Sequence, residues 1–261
     1  MTAGTHRLPA IDGRQSVVLH IGRSAKPGAP LVLGLPGAGQ TASDFASYTG
    51  YSKLADRYGF SVAYPTAAGS RPFWNISGKV AGKPDDVAYL RKVIPAAVQA
   101  SCADPARVGV TGVSNGGGMT ARLACDAADL IAAAAPVAGG YRSLPACKPA
   151  RPVPILEIHG VADQVVPYLG TGSGGQGSVP AFLAQWRKLD GCKGSPQRVV
   201  RRPNVIELRS SSCTGGTVVE HYRISDADHG WPGEDDLQGA GEFASTRRTW
   251  AFLSSFRRAA P

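Results

Sequence analysis

One strand–turn–helix pattern, centred on Ser114, constrains the fold more than any other feature of the sequence. The β-branched run of Val108, Val110 and Thr111 predicts a short strand, and residues 119–125 are compatible with a helix. Between them Gly112 and Gly116 flank the serine in a Gly-x-Ser-x-Gly pattern. Glycine at both positions lets neighbouring backbone approach a sharp turn closely. The pattern therefore predicts a nucleophile elbow, which would hold the serine hydroxyl above a sheet and beside a helix N-terminus.

Short apolar segments alternate with helix-compatible segments along the rest of the chain. Further strands are predicted at 16–21, 30–35, 60–64, 131–137, 153–158, 205–209 and 218–224, and helices at 43–58, 85–101, 179–189 and 245–256. We expect Pro95 to kink or split the second helix, because proline lacks the amide hydrogen that a helix interior uses. The alternation predicts an α/β fold, a mostly parallel sheet with helices on both faces. We expect a single domain over residues 1–261, with residues 1–14 as a flexible segment.

The composition is typical of a globular chain of the size of an enzyme domain. It argues against a nucleic-acid partner and against a membrane span. Hydrophobic residues make up 43% of the 261 residues and charged residues 18%. The net charge of +9 comes from scattered basic residues and not from a stripe with interleaved aromatics, so we expect no nucleic-acid partner. A solvated basic surface is the simpler interpretation, and attraction to an anionic matrix such as a cell wall is the alternative. Since no run of about 18 apolar residues occurs, we expect no membrane span, and we expect a monomer.

The five cysteines lie in or beside predicted loops, and none forms a C-x-x-C pair. This usage predicts two disulfides and one spare thiol, and no zinc site. Cys192 and Cys213 flank a local excursion and are the favoured pair, while the pairing among Cys102, Cys125 and Cys147 stays open. Disulfides indicate an oxidising compartment, so we expect a secreted or cell-envelope protein whose signal peptide is not part of this sequence. A cytosolic protein with five reduced thiols is the alternative.

Three chemically suited side chains follow predicted strands in the order Ser114, Asp163, His229. The carboxyl ends of parallel strands meet at one edge of a sheet, where sites of α/β proteins lie. A serine hydroxyl is a weak nucleophile and needs an adjacent base, a role predicted for His229. Asp163 would fix the imidazole tautomer and stabilise the imidazolium. The sequence therefore predicts a catalytic triad formed by these three residues.

Other acids and histidines fit these roles less well. The remaining candidates lie near helix ends, inside a strand, or too close to His229 in sequence: Asp126, Asp129, Asp190, Glu157, Asp226 and Asp228. His159 ends a strand ahead of the expected acid, and His221 alternates within a strand, so both are interpreted as structural.

An oxyanion hole and a pocket wall complete the predicted site. The oxyanion donors are expected to be the backbone N–H groups of Asn115 and of Ala38, which lies in the loop after an early strand. Trp74 and Trp231 are expected to wall a substrate-binding pocket, although core packing is the common role of tryptophan. No residue is predicted to bind a metal.

Several segments together resemble the esterase family that includes extracellular polyhydroxybutyrate depolymerases and bacterial feruloyl esterases. They are LPGAGQTA (35–42), DDVAYLR (85–91), RVGVTGVSNGG (107–117), APVAG (135–139), IHGVADQVVPY (158–168), WRKLDGC (186–192) and HGWPG (229–233). The resemblance implies an α/β-hydrolase fold, the triad Ser114, Asp163 and His229, no cofactor and secretion. Pro36 stands where such proteins usually have histidine in the oxyanion loop. Because the donor there is a backbone group, we expect modest consequences.

These features predict a secreted serine esterase that cleaves carboxylic esters through an acyl-enzyme. The expected substrate is a hydroxycinnamoyl ester on plant polysaccharide or a polyhydroxyalkanoate, with specificity in residues 73–75, 139–147 and 170–178. We expect no separate substrate-binding module, which weakens the prediction of an insoluble polymer. The alternatives are an acyltransferase that uses the same triad with a sugar acceptor, and a non-catalytic binding protein on the same fold.

Overall fold

The computed structural model describes residues 2–78, 80–171, 177–233 and 244–259. Ten strands of these residues form one sheet, in the spatial order β1-β2-β4-β3-β5-β6-β7-β10-β9-β8. Their bounds are β1 (Gly4–Arg7), β2 (Val18–Ile21), β3 (Leu31–Leu35), β4 (Ser61–Tyr64), β5 (Val108–Val113), β6 (Ala133–Val137), β7 (Ile155–Gly160), β8 (Gln197–Arg202), β9 (Val205–Ser210) and β10 (Val219–Ile224). The six central strands from β4 to β10 are parallel, and the outer strands pair antiparallel.

Six α-helices of the described residues cover the two faces of the sheet. They are α1 (Ala42–Thr49), α2 (Tyr51–Tyr58), α3 (Asp86–Ser101), α4 (Asn115–Asp126), α5 (Val179–Leu189) and α6 (Ser245–Ser254). The side chains of α3, α4 and α5 join one buried cluster, and those of α1, α2 and α6 join another. Alternation along β3 separates the two clusters, because Leu31 and Leu33 enter the first and Val32 the second. The predicted α/β architecture with helices on both faces is therefore confirmed.

Two local features differ from what the sequence predicts. Helix α3 continues through Pro95 without a split. Pro95 lies on the exposed side of the helix, where water can hydrate the carbonyl group that loses its amide partner. Residue 1 lies outside the described residues; within residues 2–14, β1 pairs antiparallel with β2 and Leu8 is buried. The side chain of Thr5 also contacts His20 Nδ1 at 2.9 Å, which ties this edge strand to the sheet.

Two disulfides tie loops to other parts of the chain: one joins α4 to the loop after β6, and the other joins the loop after α5 to the loop after β9. Cys192 pairs with Cys213, as predicted, and the open question is settled by a Cys125–Cys147 bond that leaves Cys102 free and exposed. Across the described ranges, no helix combines the length and the apolar character that crossing a bilayer requires.

Candidate active site

Ser114 occupies the tight turn between β5 and α4, with φ 57° and ψ −120°. Such a conformation is rare for a residue with a side chain and is a source of local strain. A Cβ atom at Gly116 would lie 2.2 Å from the carbonyl oxygen of Leu35, and one at Gly112 would lie 2.6 Å from the carbonyl oxygen of Gly116. Both glycines are thus required for the close approach, and the predicted elbow is present.

The three predicted triad residues meet at the carboxyl end of the sheet. Ser114 Oγ lies 2.9 Å from His229 Nε2, and His229 Nδ1 lies 2.8 Å from Asp163 Oδ2. The other carboxylate oxygen, Oδ1, accepts the backbone N–H groups of Val165 at 2.9 Å and Val166 at 2.7 Å. The acid is therefore fixed in orientation by its own loop, and the three groups form a continuous hydrogen-bonded relay.

The surroundings of Asp163 keep its carboxyl group ionised. Burial alone would raise the pKa of Asp163, but hydrogen bonds from His159, His229 and the backbone N–H of Val166 outweigh it and hold that pKa well below its ordinary value.

Asp228 joins the acid loop to the histidine loop, because its Oδ1 accepts N–H groups from Gln164 at 3.1 Å and from His229 at 2.7 Å. Charge and position of the acid are both fixed by the fold.

The expected oxyanion donors, Ala38 and Asn115, line the same cavity as Ser114. Within the described part of the chain, neither backbone N–H group donates to another residue. The loop around Ala38 is held by Gly37 N–H on Gln40 Oε1 at 2.8 Å and by Gly39 N–H on the carbonyl oxygen of Pro72 at 2.7 Å. Both N–H groups are therefore available to a ligand beside the serine.

An open cavity of about 380 Å³ adjoins Ser114. It is lined by Ala38, Phe73, Ile76, Ser114, Asn115, Gly140, Tyr141, Arg142, Ser143, Val165, Val166, Pro167, Gly170, Thr171 and Gly177. Each of the three segments expected to set specificity contributes, although residues 172–176 of the third lie outside the described residues. The wall formed by Ile76 and Val165–Pro167 was not predicted.

The two predicted substrate-binding tryptophans do not line this cavity. Trp74 is fully buried, and its indole N–H donates to the carbonyl oxygen of Pro36 at 2.9 Å. Trp231 is 3% exposed, donates its indole N–H to Thr246 Oγ1 at 2.8 Å and packs edge-on against Phe45. Both are buried scaffold residues, so the prediction of direct substrate contact is wrong. The exposed aromatic residue among those that line the cavity is Phe73, at 58% exposure, whereas Tyr141 is buried.

Behind the triad lies a buried polar cluster of Tyr141, Glu157, His159, Tyr168 and His221. Sequence reasoning gave its histidines structural roles and did not find the cluster. A usable signal was present, because a carboxylate inside a fully buried strand needs a charged partner, and His159 lies two residues away on the same face. Among the described residues, no group of three or more His, Cys, Asp and Glu is arranged to hold a metal ion.

The chain is similar to a family model and to curated proteins that are named as esterases. Residues 16–142 match the family model described as "Esterase PHB depolymerase". Feruloyl esterase B from Piromyces equi is 33% identical over 247 residues, which cover 87% of this chain and 42% of that protein. A bifunctional acetylxylan esterase/xylanase from Neocallimastix patriciarum is 30% identical over 226 residues, covering 84% of this chain and 31% of that protein. The chain therefore spans less than half the length of either curated relative.

Among solved structures, an acetyl xylan esterase from Aspergillus awamori matches with a TM-score of 0.71 at 15% identity, covering 90% of this chain and 97% of that one. Together with the sheet order, this match defines the fold as that of the α/β-hydrolases. Within that class, the matching family model and the curated relatives support the resemblance to the esterases that include polyhydroxybutyrate depolymerases and feruloyl esterases, as the motifs predicted.

Proposed function

We propose that this chain is a serine esterase that hydrolyses carboxylic esters through an acyl-enzyme. The observation that carries the proposal is the relay from Ser114 Oγ through His229 to Asp163, at 2.9 and 2.8 Å, beside an open cavity. Nucleophile, base and orienting acid are within hydrogen-bond distance of one another, and two free N–H groups adjoin the nucleophile. The esterase relatives support the same chemistry.

The acylation step uses the geometry directly. As Ser114 Oγ attacks the ester carbonyl carbon, His229 Nε2 takes the hydroxyl proton, and Asp163 stabilises the imidazolium. The carbonyl oxygen becomes an oxyanion that accepts hydrogen bonds from the N–H groups of Ala38 and Asn115. Collapse of the tetrahedral intermediate breaks the bond to the alcohol oxygen, which leaves with the proton from His229.

Deacylation reverses these roles with water as the nucleophile. His229 Nε2 takes a proton from water, and the resulting hydroxide oxygen bonds to the acyl carbon. The second tetrahedral intermediate then releases the carboxylic acid, while Ser114 Oγ recovers its proton from His229. Because the cavity is open beside the serine, water can reach the acyl-enzyme.

The cavity suggests the substrate class. Phe73, Ile76 and Val165–Pro167 provide an apolar wall for an acyl chain, and Arg142 and Ser143 provide polar groups. A hydroxycinnamoyl ring can stack on Phe73, so we favour a hydroxycinnamoyl ester on polysaccharide over a polyhydroxyalkanoate chain. The names of the relatives, feruloyl esterase and acetylxylan esterase, agree with an ester carried on a polysaccharide.

We further propose that the protein works outside the cytoplasm or in the cell envelope. The two disulfides, Cys125–Cys147 and Cys192–Cys213, support an oxidising compartment, where such bonds persist.

Hydrolysis of p-nitrophenyl acetate, p-nitrophenyl butyrate, methyl ferulate and a polyhydroxybutyrate suspension tests the function, with Ser114→Ala as the control. We expect turnover of methyl ferulate by the wild type and loss of turnover in the variant by about 10⁴-fold or more. A fluorophosphonate probe should label Ser114 in the wild type only. A wild type that neither hydrolyses any ester nor labels would overturn the proposal and favour a non-catalytic binding protein.

A further inference from the structure

His159 contacts the oxygen of Asp163 that holds the catalytic histidine. His159 Nε2 lies 3.2 Å from Asp163 Oδ2 and 3.0 Å from the carbonyl oxygen of Val166, so its N–H is shared between the two. The same Oδ2 atom lies 2.8 Å from His229 Nδ1. Two imidazole rings therefore meet on one carboxylate oxygen.

The second nitrogen of His159 is held by Glu157. His159 Nδ1 lies 2.9 Å from Glu157 Oε1, and both side chains are 0% exposed. Glu157 is in turn anchored by the hydroxyl of Tyr141, which donates to Oε1 at 3.0 Å. On β10, His221 Nδ1 lies 2.7 Å from Glu157 Oε2, and its Nε2 lies 3.0 Å from the hydroxyl of Tyr168.

We propose that His159, held by Glu157, is a positioning residue of the esterase. It fixes Asp163 Oδ2 toward His229, and its positive charge cancels one of the two buried negative charges of Glu157 and Asp163. This inference rests on the proposed serine mechanism and adds a residue to it. His159 does not touch the reacting atoms; it acts through Asp163 and through its contact with the carbonyl oxygen of Val166.

Charge balance supports the role. Glu157 and Asp163 have fully buried side chains, and two uncompensated carboxylates there would be costly. Burial alone would lower the pKa of His159, but the charge of Glu157 and the contact with Asp163 raise it to about 10. Burial alone would raise the pKa of Glu157, but His159 and His221 outweigh it and lower it to about 2. An imidazolium between two carboxylates leaves one net negative charge, which matches the single positive charge that forms on His229 during catalysis.

Within the described residues, few titratable groups face His159. Glu157 lies on its own strand, Asp163 on the following loop, and the ring of Tyr168 packs edge-on with centroids 6.0 Å apart. Tyr141 and His221 reach it only through Glu157. A change at His159 should therefore be transmitted to the active site through Asp163.

The test compares His159→Phe, Glu157→Gln and the double variant Glu157→Gln/His159→Phe by pH profiles of kcat/KM for p-nitrophenyl acetate. His159→Phe leaves two carboxylates without a cation, so the proton on His229 is held more tightly. We expect its acid limb to move about one pH unit upward and its kcat/KM to fall by about tenfold to a hundredfold. In the double variant Asp163 is the remaining carboxylate of the pair, and it lacks the N–H donor that His159 supplies. The acid limb should therefore return toward that of the wild type, while kcat/KM stays low. In Glu157→Gln, His159 still donates to Asp163, so the acid limb and kcat/KM should both stay near their wild-type values.

His20→Phe is a matched control, because His20 is a buried histidine of β2 that contacts Asp56 at 3.0 Å far from the site. It should lower stability without moving the acid limb. Rates are normalised to sites titrated with fluorophosphonate, so that partial unfolding does not mimic a catalytic loss. If His159→Phe proves insoluble, the double variant and Glu157→Gln carry the comparison, and equal normalised rates in those two overturn the proposal.

Two failures are distinguishable. An active wild type with an unchanged acid limb and normalised rate in His159→Phe overturns the positioning role and leaves the esterase intact. A wild type that is inactive and unlabelled overturns both.

Discussion

The side-chain amide of Asn115 bridges both backbone polar groups of Trp74. Asn115 Oδ1 accepts the N–H of Trp74 at 2.7 Å, and Asn115 Nδ2 donates to its carbonyl oxygen at 3.0 Å. The residue after the nucleophile is thereby joined to the segment that carries Phe73. Because the indole of Trp74 also binds the carbonyl oxygen of Pro36, the start of the Ala38 loop rests on the same buried side chain.

Replacing Asn115 by alanine should destabilise the protein and slow it. The substitution leaves two buried backbone groups of Trp74 without partners, which costs about 1 to 3 kcal/mol for each group. We expect the free energy of unfolding in urea to fall by about 3 kcal/mol. The loop around Ala38 loses support, so kcat/KM for p-nitrophenyl acetate should fall as well.

Asn204→Ala is a suitable control, since Asn204 makes an exposed side-chain contact with Asp226 at 3.0 Å. It should change the free energy of unfolding by about 0.5 kcal/mol or less. Equal losses in Asn115→Ala and Asn204→Ala would show that the bridge to Trp74 contributes nothing special.

The two disulfides offer a matched comparison of stability and activity. They close segments of similar length, with sequence separations of 22 and 21, so removing either should cost a similar free energy of about 3 kcal/mol. Only Cys147 ends the segment that supplies Gly140–Ser143 to the cavity. We expect Cys125→Ser/Cys147→Ser to raise KM for methyl ferulate several-fold, while Cys192→Ser/Cys213→Ser leaves KM unchanged.

Urea unfolding and steady-state kinetics on both double variants give the two readouts. A rise of KM in both variants, or in neither, would contradict the idea that the Cys125–Cys147 bond specifically orders the cavity wall.

The sequence predicted best what depends on local pattern and chain order. The elbow at Ser114 needs only a strand, two glycines and a helix, and Asp163 and His229 follow the ends of buried strands in a fixed order. Edge strands were harder, because β8 is an exposed arginine-rich strand with no apolar alternation. The bond between Glu157 and His221 depends on the register of β7 against β10, and short-range patterns do not specify that register.

The roles of the tryptophans were not predictable for a related reason. Whether Trp74 or Phe73 faces the cavity is decided by which side chain the loop turns inward, and adjacent residues of an extended segment point in opposite directions. Trp74 is fully buried and Phe73 is 58% exposed, so the neighbour of the predicted residue lines the site.

The raised pKa of Asp190 should make the free energy of unfolding fall as pH rises. Burial raises the pKa of Asp190 from 3.8 to about 7, partly opposed by a hydrogen bond from the N–H of Val153. As pH rises, the unfolded chain releases this proton before the folded chain does. The stabilisation is full below about pH 4 and is lost as pH rises toward 7. Asp190→Asn removes this loss, because the amide cannot ionise and still offers an oxygen to Val153.

Urea unfolding at pH 4.5 and at pH 8 measures the effect. Relative to wild type, Asp190→Asn should gain free energy of unfolding between these pH values, by about 3 kcal/mol at about 1.4 kcal/mol per pH unit. Asp226→Asn is the control, since that carboxylate is exposed, and its curve should run parallel to wild type. A parallel curve for Asp190→Asn as well would mean that Asp190 is ionised in the folded protein.

Phe73 should determine preference for aromatic acyl groups. It lines the cavity beside Ser114 and presents its ring to solvent, so an aromatic substrate can bury it while an acetyl group cannot. We expect Phe73→Ala to lower kcat/KM for methyl ferulate by about tenfold and to leave that for p-nitrophenyl acetate within about twofold. Tyr58→Ala is the matched control, because Tyr58 is 51% exposed and lies outside this cavity. Equal losses on both esters in Phe73→Ala would show that the ring supports the loop around the nucleophile, and the acyl group would then have to bind along Ile76 and Val165–Pro167.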